Sequence, residues 1–395
     1  MEAGNERAAR RARAGRYIEQ VGGYRAFIPS PLPPDPPVDP RGLHALLSRA
    51  DRALGRLDGS IYTLPNPDLF VAMYVRKEAV LSSQIEGTQS SLQDVLAAEA
   101  KVLDPERPSD VDEVFNYVAA MNYGLERLAS LPLSVRLIRE IHERLLRGVR
   151  GSHATPGELR NSQNWIGASG CTLSEAVFVP PPPHEVPKLL SDLERFLHRE
   201  TDLPLLVKIG LAHAQFETIH PFLDGNGRVG RLLITFLLCN EHVLQKPVLY
   251  LSWYFKRHRQ EYYDRLQAVR DDGDWEAWIA FFLRGVADVS GQATETARRL
   301  LTMREEHRDR VTQSLGRAAG NGHRTLEYLY EHPIVTVNDV KRLVGSTYPA
   351  ANDLVARLVE EGILSEMTGQ KRNRRFVYRE YLAVFHDGDS QESPD

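Results

Sequence analysis

The chain has 395 residues, 42% of them hydrophobic, and a formal net charge of −4 at pH 7, so it is long enough for two or three cored domains and its charge gives no compositional case for nucleic-acid or membrane binding. Only Cys171 and Cys239 are present, which excludes a disulfide framework and a thiolate metal cage. The arginine-rich start lacks the apolar stretch of a signal sequence, and no apolar run approaches the roughly 18 residues that span a bilayer, so the expected location is cytoplasmic, with no membrane partner.

Residues 1–110 read as an N-terminal helical region that includes a proline-dense, extended segment from Pro29 to Pro40. Leu69, Phe70, Met73, Val80 and Leu81 recur as on one helix face, and Gly87 suits the C-terminal cap of that helix, which carries Ser82 and Glu86 near its end. Residues 111–315 form a second, mainly helical unit whose chief interruption lies between Thr155 and Pro183. There Asn164, Gly167 and Gly170 punctuate short apolar runs and Pro180 stops pairing, the pattern of a β-hairpin with an exposed edge that can align a peptide by backbone hydrogen bonds.

Leu205, Leu206, Ile209, Ala212, Phe216 and Ile219 recur every three or four residues, so a helix is expected to end at His220, and the nearly all-apolar run Leu232–Cys239 predicts a buried helix after it. Between them lies His220-Pro-Phe-Leu-Asp-Gly-Asn-Gly-Arg-Val-Gly-Arg231. His220 has an unperturbed pKa of about 6.5 and is the natural general base. Asp224 offers the hard oxygens that Mg²⁺ takes together with phosphate oxygens and water. Gly225 and Gly227 can turn successive backbone N–H groups toward an anion, a helix starting there adds its positive end, and Asn226 can donate from its amide. Arg228 and Arg231, three apart on that helix, are expected to project together and clamp phosphates.

Two other patterns compete for these residues. Gly225-x-Gly-x-x-Gly230 matches the letters of a dinucleotide fingerprint, but a helical pattern precedes it where a strand should. His213, Glu217 and His220 share a helix face as zinc ligands would, but no third imidazole or thiolate is motif-spaced, and His213 and Glu217 read more simply as supporting polar groups.

The twelve-residue motif resembles the signature of the Fic family, His-Pro-Phe-x-Asp/Glu-Gly-Asn-Gly/Lys-Arg-x-x-Arg, with every specified position filled. The resemblance implies a mainly α fold, a Fic-type helical bundle with a β-hairpin flap. It also implies transfer of AMP from ATP to a Ser, Thr or Tyr hydroxyl of a protein, the chain itself included, with release of pyrophosphate. In that reading His220 deprotonates the hydroxyl, Asp224 holds Mg²⁺, and Gly225, Asn226, Gly227, Arg228, Val229, Gly230 and Arg231 bind the nucleotide. Ser82-Ser-Gln-Ile-Glu86-Gly87 is similar to the family's inhibitory motif, which implies that Glu86 pairs with Arg231. Thr155–Gly167 followed by Val177–Pro183 is similar to the family's flap, and Leu249–Tyr263 to a segment packing near the base, where His258 stands in place of a frequent Asn and Tyr263 is a second base contact. Removal of AMP by water oriented on Glu86 stays open beside AMP addition.

After a glycine-marked boundary from Gly316 to Gly322, residues 323–385 give three helical patterns, Thr325–Glu331, Val337–Val344 and Tyr348–Glu361, then two short strands. This resembles a winged helix-turn-helix domain with Lys371, Arg372, Arg374 and Arg375 at its wing. DNA binding and a protein-contact or homodimer role stay equally open for it, because Glu360, Glu361 and Glu366 offset the wing charge. A DNA-binding regulator with a nucleotide-sensing core is therefore the competing functional class. Residues 386–395 read as an acidic, disordered tail.

Overall fold

The computed structural model describes residues 10–62, 64, 67–100, 110–151, 153–168, 170–370 and 372–386; Lys371 and all of the expected acidic tail after His386 lie outside them. A short helical stretch over residues 10–14 leads into an antiparallel hairpin, β1 (Gly15–Glu19) and β2 (Arg25–Pro29), in the register Gly15↔Pro29 to Glu19↔Arg25. Its turn uses Gly22 and Gly23 at φ of 110° and 79°, a region that costs a residue with a Cβ about 1 kcal/mol or more. This hairpin was not anticipated; the glycine pair between Tyr17-Ile18 and Phe27-Ile28 was its signal.

The hairpin also explains why the flap is smaller than expected. Phe27 donates its backbone N–H to the Val179 carbonyl at 2.9 Å, so the return arm of the flap pairs with β2. Its own pairing is reduced to one antiparallel bridge, Ile166↔Phe178, and Pro180 to Pro183 have no N–H with which to extend it.

Eleven helices follow: α1 (His44–Tyr62), α2 (Pro67–Ile85), α3 (Leu92–Glu99), α4 (Val111–Leu128), α5 (Val135–Leu145), α6 (Val186–His198), α7 (Leu205–Ile219), α8 (Asn226–Asn240), α9 (Ser252–Arg257), α10 (Arg259–Asp272) and α11 (Trp275–Leu315). Helix α7 is buried from Leu206 except at Lys208, which makes it the central rod of the bundle. Against it packs α11, whose Trp278 indole donates to the Gly210 carbonyl at 2.8 Å. Gly210 permits this approach, since a Cβ there would lie 2.8 Å from Ile279. At 41 residues α11 is about 60 Å long, and it also carries α1 along its length. No helix among the described residues is long and apolar enough to cross a membrane.

The expected boundary at Gly316–Gly322 is a 3₁₀ turn followed by the start of α12 (Ala319–Glu331), six residues earlier than Thr325. Gly322 is not a hinge there: a Cβ would lie 2.5 Å from Leu315, so the glycine serves close helix packing. Then come β3 (Ile334–Thr336), α13 (Val337–Val344), α14 (Tyr348–Glu360), β4 (Ser365–Glu366), β5 (Arg375–Val377) and α15 (Arg379–His386), with the strands in the order β3-β5-β4. β3 and α15 were not anticipated. This C-terminal unit sits on α2: Phe70 meets Tyr330 at 5.4 Å between ring centroids, Tyr74 meets Phe385 at 5.7 Å, and Lys77 donates to the Phe385 carbonyl at 2.7 Å.

Where α4 crosses α8, a Cβ on Gly124 would lie 2.3 Å from the buried Phe236 ring. Gly124→Ala is therefore expected to destabilise the bundle by about 1–3 kcal/mol despite alanine's better helix propensity, read as a lower urea midpoint at unchanged slope.

Candidate active site

The last residue before the motif loop is bent by design. His220 caps α7 in the left-handed conformation at φ 48°, its N–H still bonded to the Phe216 carbonyl at 3.0 Å. An α-helix leaves its last carbonyls unpaired, and two buried arginines take them. Arg160 Nε donates to the His220 carbonyl at 2.8 Å, and Arg270 Nη2 to the Glu217 carbonyl at 3.2 Å. Burial and the two arginine charges hold the His220 imidazole neutral, its pKa lowered to about 3, so its ring has a lone pair available at neutral pH.

Beyond His220 the loop is laced shut. Asn226 accepts from the Phe222 N–H and donates to the Phe222 carbonyl, both at 2.8 Å, so its amide braces the turn and does not point at a ligand as the sequence suggested. His142 of α5 stacks on Phe222 with ring centroids 3.7 Å apart, donates from Nε2 to the Asp224 carbonyl at 3.0 Å, and accepts the Gly157 N–H on Nδ1 at 2.8 Å. It is a lone histidine on an amphipathic helix, with no sequence signal for that role. Gly225, at φ 77°, then starts α8, whose first-turn amides have no partner within the helix.

The two motif arginines do not act together. Arg231, 2% exposed, donates from Nε to Ser82 Oγ at 2.8 Å and from Nη2 to the Ser82 carbonyl at 3.0 Å and Glu86 Oε1 at 2.7 Å. Burial alone would raise the pKa of Glu86 and lower that of Arg231; their mutual charge outweighs it and drives both the other way. The Glu86 carboxylate comes so close to α8 that a Cβ on Gly227 would lie 2.2 Å from it. Arg228 turns instead to the buried Glu113 of α4, 3.0 Å away, and approaches Asp224 only at 3.5 Å. Glu113 holds Arg150 on its other oxygen at 3.3 Å. A buried guanidinium needs a carboxylate wherever one is supplied, and α4 supplies it on the side away from Arg231. That partner, 115 positions away, is not readable from the motif.

A cavity of about 540 Å³ opens over this arrangement, lined by Glu86, Glu217, His220, Gly227, Arg231 and Tyr263 among others. Trp165, Ile166, Val177 and Phe178 of the flap form one wall and α10 the opposite one. Val229 is buried in the bundle and does not line the cavity. His258, expected at the base, lies instead in a separate groove beside Trp253, Tyr254 and Arg257, where its ring packs on Tyr254 at 4.4 Å. The helix break between α9 and α10 turns it away from the cavity while Tyr263, one turn on, faces in. His213 donates and accepts within the fold, to the Gly230 carbonyl and the Tyr262 hydroxyl, each at 2.9 Å.

Asp224 is the residue available for a cation. Its Oδ1 takes the Gly225 N–H at 2.6 Å, and its Oδ2 points to a space beside Gly151 that a Cβ would fill, only 2.3 Å from that oxygen. A half-exposed carboxylate with one oxygen facing a side-chain-free space suits a hard divalent ion.

Residues 44–126 match the Fic/DOC family N-terminal model and residues 132–238 the Fic/DOC family model. A protein adenylyltransferase Fic of Aedes aegypti is 34% identical over 208 residues, and one of Culex quinquefasciatus is 32% identical over 208; each alignment takes in 51% of this chain and 36% of the relative. The chain thus spans about a third of the length of these curated relatives. In fold it is similar to a Fic family protein from Desulfovibrio desulfuricans G20, with a TM-score of 0.54 at 21% identity over 86% of this chain and 97% of that one. Residues 44–238 thus carry the two adjacent Fic/DOC family regions, with the twelve-residue motif intact at the end of α7.

Proposed function

We propose that the chain transfers AMP from ATP to a Ser, Thr or Tyr hydroxyl of a protein, and that it rests in an inhibited state. The observation that carries this reading is the Glu86 carboxylate on Arg231, 2.7 Å away, in the same cavity as the neutral His220. The names of the relatives support the reaction class.

In the reaction, the target hydroxyl attacks the α-phosphorus, its proton passes to the His220 imidazole, and the bond to the bridging oxygen breaks to release pyrophosphate. The amides at the start of α8 receive phosphate oxygens, and Tyr263 flanks the nucleoside. Asp224 would hold Mg²⁺, which neutralises charge on the phosphates when bound. The flap edge at Ile166 and Val177 would align the target backbone.

Inhibition follows from competition. A triphosphate needs the Arg231 guanidinium for its terminal phosphate, and Glu86 and Ser82 already occupy it. The helix that carries the glutamate is anchored about two turns earlier by Glu78, which accepts from Ser252 N at 3.1 Å and Tyr117 at 3.3 Å. AMP removal is the second reading, favoured by the same carboxylate facing the cavity, where it can orient water.

For residues 323–385 we infer a winged helix-turn-helix, supported by the order helix, strand, helix, helix, strand, strand. Two of its wing arginines make contacts within the chain. Arg375 bonds the Ala100 carbonyl, and Arg374 donates to Asn352 at 2.6 Å and lies over Phe376. This favours contact with the chain's own N-terminal half over DNA.

Glu86→Gly is expected to raise AMP labelling of protein from α-labelled ATP by about 10- to 100-fold, since a charged hydrogen-bond partner worth about 1.5–3 kcal/mol is transferred to the phosphate. Adding His220→Ala should return labelling to background, and equal labelling in both variants contradicts the mechanism. Ser82→Ala, which removes one of the bonds on Arg231, should raise labelling by only about fivefold.

A further inference from the structure

Glu217 is a buried acidic side chain of the cavity that the mechanism above leaves without a task. It lies on α7 one turn before His220, is 6% exposed, and lines the same cavity as Arg231 and Gly227. Its Oε1 is buried without a hydrogen-bond partner, and no ion pair to it occurs among the described residues. Native proteins rarely leave a buried polar atom unpaired, and the exceptions ask for an explanation.

The surroundings settle its charge. Arg231, from α8, places its Nε and Nη2 on Ser82 and Glu86 and reaches Glu217 by charge alone. Arg270, from α10, is committed to Thr218, Gln267 and the Glu217 backbone carbonyl. Glu86 from the end of α2 and the Tyr262 ring from α10 add negative charge or bulk, and the flanking His213 and His220 on α7 are both neutral. A buried carboxyl without an ion-pair partner holds its proton to a higher pH than an exposed one. Burial pushes Glu217 up to about 7, against the partial pull of Arg231.

We propose that Glu217 is a nucleotide-contacting residue whose neutral carboxyl donates its O–H to an oxygen of the bound phosphates beside Arg231. The location selects phosphate over sugar or base, because Gly227, Gly230 and Arg231 of α8 are its neighbours. Gly230 makes the room: a Cβ there would lie 2.2 Å from Glu217 Oε1. An ionised Glu217 would instead repel the phosphates, so nucleotide binding is linked to one proton. This contact rests on the AMP-transfer reading of the cavity.

The test is calorimetric titration of the full chain with ADP from pH 6 to 8.5, comparing wild type, Glu217→Gln and Glu217→Ala. Gln keeps a donor and cannot ionise, and the ratio of wild type to Gln cancels the titration of ADP itself. Wild-type affinity should fall relative to Gln by about tenfold per pH unit above 7, since only the protonated fraction binds. Ala should bind more weakly than Gln throughout. A wild-type-to-Gln ratio that stays constant with pH overturns the contact and leaves the AMP-transfer reading standing; no ADP binding by any of the three overturns that reading and the contact with it. In wild type alone, a protonated-carboxyl infrared band should shift on adding ADP, and an unshifted band contradicts the contact whatever the variants do.

Discussion

A guanidinium with 2% of its surface in contact with solvent must find a partner within the protein, and Arg231, the last residue of the twelve-residue motif, is such a group. The fold answers by bringing the end of α2 across α8, so that Ser82 and Glu86 receive it. Much else serves that crossing. Gly227 has no side chain because Glu86 occupies its Cβ position, and Glu78 is anchored by Ser252 and Tyr117 one turn before Ser82. In the proposed reaction the same arginine is the seat of a terminal phosphate, so one interaction would both satisfy the buried guanidinium and obstruct the transfer.

The motif loop depends on side chains that do no chemistry. Asn226 ties it to Phe222, His142 stacks beneath it, and Arg160 and Arg270 satisfy the carbonyls where α7 ends. These contacts fix His220 at a positive φ, an arrangement a residue with a Cβ adopts only at a cost of about 1 kcal/mol or more. Burial and the two cations that hold this helix end keep His220 neutral, which ties local backbone geometry to the proton-accepting role proposed for it.

Helices α7 and α8 were legible because periodicity and a nearly unbroken apolar run leave few alternatives, and α13 matched its pattern at both ends, Val337 and Val344. The pairing of Glu86 with Arg231 was reachable only through family resemblance; nothing local at Ser82–Gly87 demands it. What the sequence hid were partnerships set by tertiary contact. Glu113 draws Arg228 away from Arg231, β2 claims the Val179 carbonyl that would have paired within the flap, and the break between α9 and α10 sends His258 into a different groove. Short strands such as β3, three residues long, carry too little alternation to be seen.

In the proposed resting state Glu86 holds the arginine a triphosphate needs. A pair of crystal structures, wild type and Glu86→Gly, each soaked with Mg²⁺ and a non-hydrolysable ATP analogue, tests this. Arg231 should stay on Glu86 in wild type with the α-phosphate out of line with His220. In Glu86→Gly the guanidinium should sit on the γ-phosphate and the α-phosphate should face the imidazole. The same phosphate pose in both proteins, with the Arg231–Glu86 pair intact in wild type, would contradict it.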